Sequence, residues 1–370
     1  MAVTNRTNRT NRTNRTNRTN RTNRTGTDDA ELAGLGDEAS MGLSEALQSA
    51  MLAFTGPDMI VTADGLFRPA ETDYYRNLND RHRGHLITKA LMVGFAVRDV
   101  SGGGPDVLQA QLSTGDPLKA ALSLKMDIST TSAMLTFWQG QINDLRAKKW
   151  NRDDRLAEIV LQQTDIHSFL GLALPIAADT HPWLMVLLDA VQTIAFQVAT
   201  QMKDLFRMPR PDRMVGDLAP VIRTPSHSSF PSGHATEAFA AAAVLGAFFP
   251  VNAALLRQMA TRIAVNRGFA GVHFPVDHHA GAMMGELVAT EVLRKLYGAA
   301  AVAPVAPIAF EAINVPAAGR GASVEDYANN YSIAAANPPL PAPTAGPTPP
   351  GILPWLARKV WADVHGGATP

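Results

Sequence analysis

Residues 231–234 read Pro-Ser-Gly-His and open a run of small apolar residues, Ala235-Thr-Glu-Ala-Phe-Ala-Ala-Ala-Ala-Val244. Ser232 is a favourable residue for the start of a helix, and the Ser-Gly turn offers bare backbone N–H groups at the positive end of the helix dipole. The pattern predicts a helix from Ser232 to about Phe249. Its many alanines predict close packing against other helices.

Two further stretches carry charged residues on either side of this helix. Upstream, Lys203 is followed after six residues by Arg210-Pro211, and downstream Arg267-x5-His273-x3-Asp277 completes the set. Arginine presents a planar fork that suits phosphate-like oxygens, and lysine adds a point charge. Two histidines beside such cations can bond to the central atom of an anion and move a proton near neutral pH. The three stretches together predict a site for a tetrahedral oxyanion, phosphate or vanadate.

In this order and with these gaps, the motifs resemble the superfamily of type 2 phosphatidic acid phosphatases and vanadium-dependent haloperoxidases. The resemblance covers Lys203 to Asp277 and leaves the rest of the chain unexplained. One position departs from the family pattern, because Asn266 stands before Arg267 where the family usually has serine. It implies a helical bundle, and we predict an all-α fold of the haloperoxidase and acid phosphatase type with disordered or extended termini.

The resemblance implies a role for each motif residue. His273 would attack phosphorus in a phosphatase or bind vanadium in a haloperoxidase; the alternative is a buried loop histidine. Asp277 would orient its ring, or simply cap a helix. His234 would be the general acid and base. The oxyanion would be held by the remaining polar residues of the motifs, Lys203, Arg210, Arg267, Ser232 and Gly233.

His227 and Thr200 bear on the choice between the two chemistries. In the haloperoxidases the position of His227 lines the halide pocket, and a histidine there resembles the bromoperoxidases. Thr200 stands where chloroperoxidases carry a bulky aromatic residue, which counts against chloride oxidation and weakly against a haloperoxidase altogether. In the other direction, the soluble acid phosphatases of the superfamily are typically exported and its membrane phosphatases span the bilayer, whereas neither an export signal nor a set of spanning segments is predicted here. We therefore predict a haloperoxidase that binds vanadate on His273 and oxidises bromide or iodide with hydrogen peroxide to halogenate a small organic substrate. The alternatives are a phosphomonoesterase acting through a phosphohistidine and a non-catalytic helical interaction protein.

The composition excludes several other classes of protein. The 370 residues are 46% hydrophobic, enough for a sizeable core, and the formal net charge is zero. A nucleic-acid binder would show a basic excess, so none is expected. The chain has no cysteine, so it has neither disulfides nor thiolate metal sites.

We predict a soluble, cytoplasmic protein with no membrane partner. The N-terminus carries Asn-Arg-Thr seven times, from Asn5 to Thr25, rather than an apolar signal region. The most apolar stretches, 182–202 and 235–256, contain charged and polar residues that a spanning helix avoids. A homo-oligomer, a dimer or larger, is the expected assembly.

The chain is predicted to divide into three parts: a disordered repeat tail over 1–27, a helical catalytic domain over 28–298 and an Ala/Pro-rich extension over 299–370. Within the domain, the apolar periodicity predicts helices and no strand. His278 and His279 are expected on the helix surface or at subunit contacts. The predicted helices cover residues 28–55, 116–150, 153–174, 182–206, 232–249, 252–267 and 275–297, and a break near Asp127–Thr131 is left open within the second of them.

Overall fold

The computed structural model describes residues 71–102, 106–115, 117–315, 340–343 and 351–366. The repeat tail over 1–27 and the helix predicted over 28–55 lie outside these residues. Two compact units divide the chain, and of the unit Arg24–Leu78 only the helix α1 (Glu71–Asn77) is described. The helices described in the other unit are α2 (Asp80–Met92), α3 (Ser132–Lys149), α4 (Leu156–Leu161), α5 (Ile166–Gly171), α6 (Pro182–Phe206), α7 (Pro211–Met214), α8 (Gly233–Phe248), α9 (Ala253–Phe269), α10 (Pro275–Tyr297) and α11 (Ile352–Val364).

The centre of the unit is α8, which is packed by α6, α9 and α10. Nearly every residue of α8 is buried, because alanines let the neighbouring backbones approach from all sides. Gly281 and Gly285 of α10 face α8 at the closest points. A Cβ atom on Gly281 would lie 2.6 Å from the carbonyl oxygen of Ser232. The small residues therefore bring the N-termini of α8 and α10 together.

The prediction of a fold without strands is wrong, because the chain also forms a small mixed sheet. Its strands are β1 (Phe95–Asp99), β2 (Val107–Thr114), β3 (Lys119–Asp127) and β4 (Ile308–Glu311), in the order β1-β2-β3-β4. The first three are antiparallel, and β4 runs parallel to β3. In β3, buried Leu122, Leu124 and Met126 alternate with more exposed residues, the period-two pattern of a half-buried strand. Over the described part of the chain, the fold is mostly helical, with one four-stranded sheet.

The helix boundaries also differ from the prediction in places. The predicted helix over 116–150 is strand β3 followed by α3, which begins after the N-cap Thr131. The predicted helix over 153–174 is a 3₁₀ turn and the short helices α4 and α5, separated at Asp165, whose side chain caps α5. By contrast, the helix predicted over 275–297 is confirmed as α10.

The segment after residue 298 contributes to the same unit. Strand β4 completes the sheet, and Trp355 of α11 packs edge-on against Trp183 with ring centroids 4.9 Å apart. Asp363 accepts hydrogen bonds from the backbone N–H groups of Trp183 and Leu184 at 2.6 and 3.1 Å. A carboxylate at the start of α6 satisfies donors that lack a partner within the helix. The division into three parts stays a prediction, but its third part is anchored on its second.

We expect Gly285→Ala to destabilise the protein by roughly 1–3 kcal/mol, the usual cost of overpacking a core. A Cβ atom there would collide with the carbonyl oxygen of Thr236 and lie 2.9 Å from the backbone nitrogen of Ala240. Gly84 of α2 is the matched control, because an added Cβ atom meets nothing within 4 Å. Gly84→Ala should be neutral or slightly stabilising. Thermal denaturation of both variants measures the difference, and equal stability would contradict the close crossing of α8 and α10.

Candidate active site

The C-terminal end of α6 places the first cation of the site. Lys203 lies in the last turn, where its Nζ donates to the carbonyl oxygens of Ser228 and Ser229 at 2.8 and 3.2 Å. Arg207 ends the helix in the left-handed conformation, with φ of 48°. The chain then turns, and Pro211 starts α7 immediately after Arg210. Lys203 and Arg210 are both buried.

His273 and Asp277 form a buried pair at the start of α10. His273 Nδ1 lies 2.9 Å from Asp277 Oδ2, which also accepts hydrogen bonds from the backbone N–H of Phe274 at 2.9 Å and from the Ser229 hydroxyl. Because Oδ2 is an acceptor, the ring carries its proton on Nδ1. His273 Nε2 is therefore the atom with a lone pair. Asp277 both caps the helix and orients the ring, so its two expected roles coincide.

Arg210 holds the other side of the His273 ring. Its Nη1 lies 2.9 Å from His273 Nε2 and donates to the carbonyl oxygen of Val272 at 2.7 Å. Its Nε donates to the carbonyl oxygen of His227 at 3.1 Å, and its Nη2 lies 3.1 Å from His227 Nδ1. A cation thus stands directly beside the lone pair of His273.

The N-terminus of α8 contributes His234 and the Ser-Gly turn. Ser232 caps the helix through its hydroxyl, which accepts from the N–H of Ala235 at 3.4 Å, and its own N–H donates to the carbonyl oxygen of Asp277 at 2.9 Å. The N–H groups of Gly233 and His234 belong to the first turn, where a helix supplies no partner. Of the backbone donors predicted at Ser232 and Gly233, Gly233 is the one whose N–H suits an anion.

Arg267 lies near the end of α9 with its guanidinium fully buried. Its Nη2 donates to the carbonyl oxygen of Ile159 and to Gln162 Oε1, at 3.0 and 3.2 Å. Among the described residues, its Nε and Nη1 are buried atoms without a hydrogen-bond partner. Unsatisfied buried N–H groups are costly, so two such donors on one guanidinium indicate a site for an oxyanion.

Asn266, the residue that departs from the family pattern, has a structural role beside this arginine. Its Nδ2 donates to Glu158 Oε2 and Gln162 Oε1, at 2.9 and 3.0 Å. Glu158 in turn pairs with Arg262 at 2.6 Å. The network ties α9 to α4 and fixes the Gln162 side chain that accepts from Arg267.

The charges of these residues converge on the two histidines. Burial, together with the charges of Arg267, Arg210 and Lys203, holds the pKa of His234 well below its ordinary value. Burial and the charges of Arg210 and Lys203 lower the pKa of His273 in the same way. Both imidazoles are therefore neutral at neutral pH. Such depressed pKa values are typical of a site built to receive negative charge.

Asp277 titrates in the opposite sense. Burial raises the pKa of its carboxyl to about 6, opposed by the hydrogen bonds from Ser229 and Phe274. Above that pH it is the carboxylate that holds the proton of His273 on Nδ1.

A cavity of about 710 Å³ adjoins one side of this group, the side formed by Lys203 and Arg210, whereas His234, His273 and Arg267 are not among its lining residues. Its walls include Lys203, Arg210 and His227, with the exposed Thr200 also in the lining. His227, predicted to lie beside the anion, is thus placed on the cavity wall in contact with Arg210.

Several features of the site were missed or misplaced by the sequence. His278 and His279 are buried, not on the surface, because α10 is covered by α8, α6 and α3. Ser229, which donates to Asp277, and Gln162, which holds Arg267, were not predicted. Ser229 adjoins the Pro-Ser-Gly-His motif, but nothing in its type distinguishes it from neighbouring serines. Gln162 lies over 100 residues from Arg267, and no local pattern could identify it.

Comparison with known families agrees with this geometry. Residues 183–299 match the PAP2 superfamily, and this range contains every predicted site residue. A decaprenylphosphoryl-5-phosphoribose phosphatase of Mycobacterium tuberculosis is 34% identical over 125 residues, which are 33% of this chain and 66% of that protein. The protein of the same name from Mycolicibacterium smegmatis is 37% identical over 105 residues, covering 28% and 55%. The chain thus spans about two thirds or less of these relatives.

Two solved structures resemble parts of the chain. A transmembrane PAP2-type phosphatidylglycerolphosphate phosphatase from Bacillus subtilis is 21% identical, with a TM-score of 0.33, covering 44% of this chain and 86% of that one. A bacterial vanadium-dependent iodoperoxidase is 20% identical, with a TM-score of 0.37, covering 46% and 51%.

These relatives correct the predicted activity. The expected vanadate-dependent haloperoxidase is contradicted, because the curated relatives are named phosphatases. The haloperoxidase was favoured by three observations: His227, the expected absence of an export signal and the expected absence of spanning segments. His227 is accounted for by its contact with Arg210, and a histidine beside an arginine does not separate the two chemistries.

The prediction of a soluble, cytoplasmic protein is also wrong. The segment Pro182–Met214 is long and apolar enough to cross a membrane, and about half of its most apolar stretch is buried inside the protein. The prediction rested on the few polar side chains of this segment, which are too few to exclude a membrane-spanning helix. The curated relatives act, by name, on a decaprenyl-linked substrate, which does not support a soluble assignment. The resemblance predicted from the motifs is confirmed, because residues 183–299, which carry all three motifs, match the PAP2 superfamily.

Proposed function

We propose that the chain is a phosphatase that hydrolyses phosphate monoesters through a phosphohistidine on His273. The observation that carries the proposal is the Asp277–His273 pair, which leaves the lone pair of Nε2 among buried cations. Support comes from the curated relatives, which are phosphatases, one of them 34% identical over 125 residues. By name, those relatives act on a phosphorylated sugar joined to a decaprenyl phosphate. For this chain we propose the broader substrate class of phosphate monoesters.

In the proposed reaction, the three equatorial oxygens of the phosphoryl group are held by Arg267, Lys203 and Arg210, with the N–H of Gly233. Arg210 exchanges its contact with His273 Nε2 for one with the anion. Nε2 then attacks phosphorus in line, the bond to the leaving oxygen breaks, and positive charge on the ring is balanced by Asp277. The cations neutralise charge on the oxygens as the transition state forms.

His234 transfers the proton in both halves of the reaction. Its pKa is low in the free site because of burial and the surrounding cations. A bound phosphate places negative charge beside the ring and raises that pKa, so the substrate itself makes the imidazole a proton donor. His234 protonates the leaving alkoxide, then removes a proton from the water that attacks the phosphohistidine. The products are the alcohol and inorganic phosphate.

A first experiment is hydrolysis of p-nitrophenyl phosphate, with vanadate as an inhibitor. Vanadate is tetrahedral like phosphate and accepts a fifth ligand, so it should compete with substrate by occupying the same cradle. We propose it as a ligand of this site and not as a cofactor of turnover. A folded protein that neither releases phosphate from any monoester nor binds vanadate would overturn the proposal. The predicted homo-oligomer stays a prediction.

We expect kcat/KM to fall as the pH drops below about 6. The pKa of Asp277 is raised from its usual 3.8 to about 6, so the carboxyl takes up a proton over a range where an ordinary aspartate stays ionised. Protonation removes the acceptor that orients His273. Because the second ionisation of a phosphate ester also lies near 6, the profile of Asp277→Asn is the control. If kcat/KM of that variant still falls below pH 6 as in the wild type, the fall arises from protonation of the substrate and not of Asp277.

A further inference from the structure

The residues proposed to hold the phosphoryl group, Lys203, Arg210, Arg267 and the N–H of Gly233, are called the anion cradle. The cavity is larger than a phosphoryl group and is lined by further positive charges. Its 710 Å³ is the size of a site for a whole small molecule, whereas a phosphoryl group fills a small part. The cradle residues in its wall, Lys203 and Arg210, are buried. Two further arginines of the same wall, Arg207 and Arg213, are exposed. The cavity is therefore lined both by two buried cations of the anion site and by two exposed arginines, Arg207 and Arg213, which we call the arginine mouth.

Both residues of the arginine mouth lie beside the ends of α6 and α7, and no strong ion pair among the described residues neutralises their side chains. Arg207 follows the end of α6 in the left-handed conformation, and its Nε donates to the carbonyl oxygen of Asp204 at 2.7 Å. Its ion pair with the Asp204 carboxylate is long, at 3.4 Å, and both side chains are more than three quarters exposed, so the pairing is weak. Arg213 lies in α7, and no carboxylate of the described residues forms a salt bridge with it.

The charges of the cavity exceed what one phosphoryl group requires. Lys203, Arg207, Arg210 and Arg213 line it against a single carboxylate, that of Asp204. The scissile phosphate is already matched by Lys203, Arg210 and Arg267. An anion that meets the arginine mouth must therefore belong to another part of the substrate. Apolar walls from Phe196 and Met208 lie in the same cavity and suit the uncharged part between two anions.

We propose that the arginine mouth binds a second phosphate of the substrate, carried on the leaving group. This inference rests on the proposed phosphatase activity and narrows its substrate class to phosphate monoesters that bear a further phosphate or phosphodiester. Arg207 and Arg213 form charge-assisted hydrogen bonds to that group and set specificity without taking part in the chemistry. The leaving group is either a soluble sugar phosphate or a lipid headgroup, which share this chemistry.

The test compares substrates that differ by one phosphate. Fructose 1,6-bisphosphate against fructose 6-phosphate is the soluble pair, and phosphatidylglycerol phosphate against phosphatidic acid in mixed micelles is the lipid pair. We expect kcat/KM to favour the member with two phosphates by roughly tenfold in at least one pair. The pair that shows the preference identifies the source of the leaving group.

Arg207→Gln with Arg213→Gln should reduce that preference to near unity, chiefly by raising KM. The matched control is Arg223→Gln, an exposed loop arginine outside the cavity lining, which should keep the wild-type preference. If neither pair shows a preference while p-nitrophenyl phosphate is hydrolysed, or if the double variant retains the preference, the arginine mouth has no such role. In both cases the phosphatase proposal still stands. If the wild-type protein hydrolyses none of these substrates, the phosphatase proposal itself is overturned.

Discussion

Replacing His273 by Ala is expected to lower turnover of p-nitrophenyl phosphate by about 10⁴-fold or more, because the variant lacks the atom that bonds to phosphorus. The loss should appear in kcat and in kcat/KM alike. Anion binding should weaken less, since Lys203, Arg210 and Arg267 remain. Steady-state kinetics and vanadate titration separate the two effects.

The control for this variant is His85→Ala, which removes an exposed histidine of α2. It should leave both rate constants within about twofold of the wild type, as expected for surface substitutions. Thermal denaturation checks that His273→Ala is folded. Substantial turnover by a folded His273→Ala variant would remove His273 from the role of nucleophile.

The second large effect is expected for His234→Ala, and it should depend on the leaving group. An alkyl phosphate needs a proton on its leaving oxygen, so kcat/KM should fall by about 10²–10⁴-fold, the usual contribution of general acid catalysis. p-Nitrophenolate leaves without protonation, so kcat/KM for the aryl ester should change far less. The second step still lacks its base, so the variant should release a burst of p-nitrophenol equal to the enzyme present and then turn over slowly.

The burst separates a proton-transfer role from a structural one. A misplaced helix α8 would reduce kcat/KM for the alkyl and aryl esters equally and give no burst. Equal losses on both substrates would therefore contradict the assignment of His234, and His85→Ala again serves as the control.

The sequence was sufficient to locate most of the candidate site, because its residues lie in three short motifs with fixed spacing. The start of α10 at Pro275, the cap at Asp277 and the helix after Ser232 were predictable, since proline, aspartate and serine act on their own neighbours. What the motifs could not show was the pairing between them. The hydrogen bond from the Ser232 N–H to the carbonyl oxygen of Asp277 joins α8 to α10, and it depends on Gly281 and Gly285 letting the backbones meet.

The sheet was missed for a different reason. Leu122, Leu124 and Met126 alternate with Ser123 and Lys125, which is a strand pattern, but β3 leads directly into the helical periodicity of α3. When the residues of β3 and α3 are considered as one segment, the helical periodicity of the longer α3 dominates and the strand pattern of β3 is overlooked. Strand β4 is only four residues long and lies in an Ala/Pro-rich segment. Its pairing with β3 joins positions far apart in the chain, which local propensity does not report.

The histidines on α10 show the same limit. The motif predicts His273 as a site residue, whereas His278 and His279, which follow Asp277 on the same helix, were expected at the surface or at subunit contacts. Both are buried, and the ring of His278 lies 6.0 Å from that of His273. Burial there follows from packing of α10 on several sides, a tertiary property.

The central claim is the covalent bond between His273 and phosphorus. The most direct test is rapid quenching of the His234→Ala variant during turnover of a ³²P-labelled aryl phosphate, followed by peptide mapping. We expect label to accumulate on His273 up to one phosphate per chain, in a linkage that is labile to acid and stable to alkali. An enzyme that turns over with no labelled protein, or with label on another residue, would contradict it.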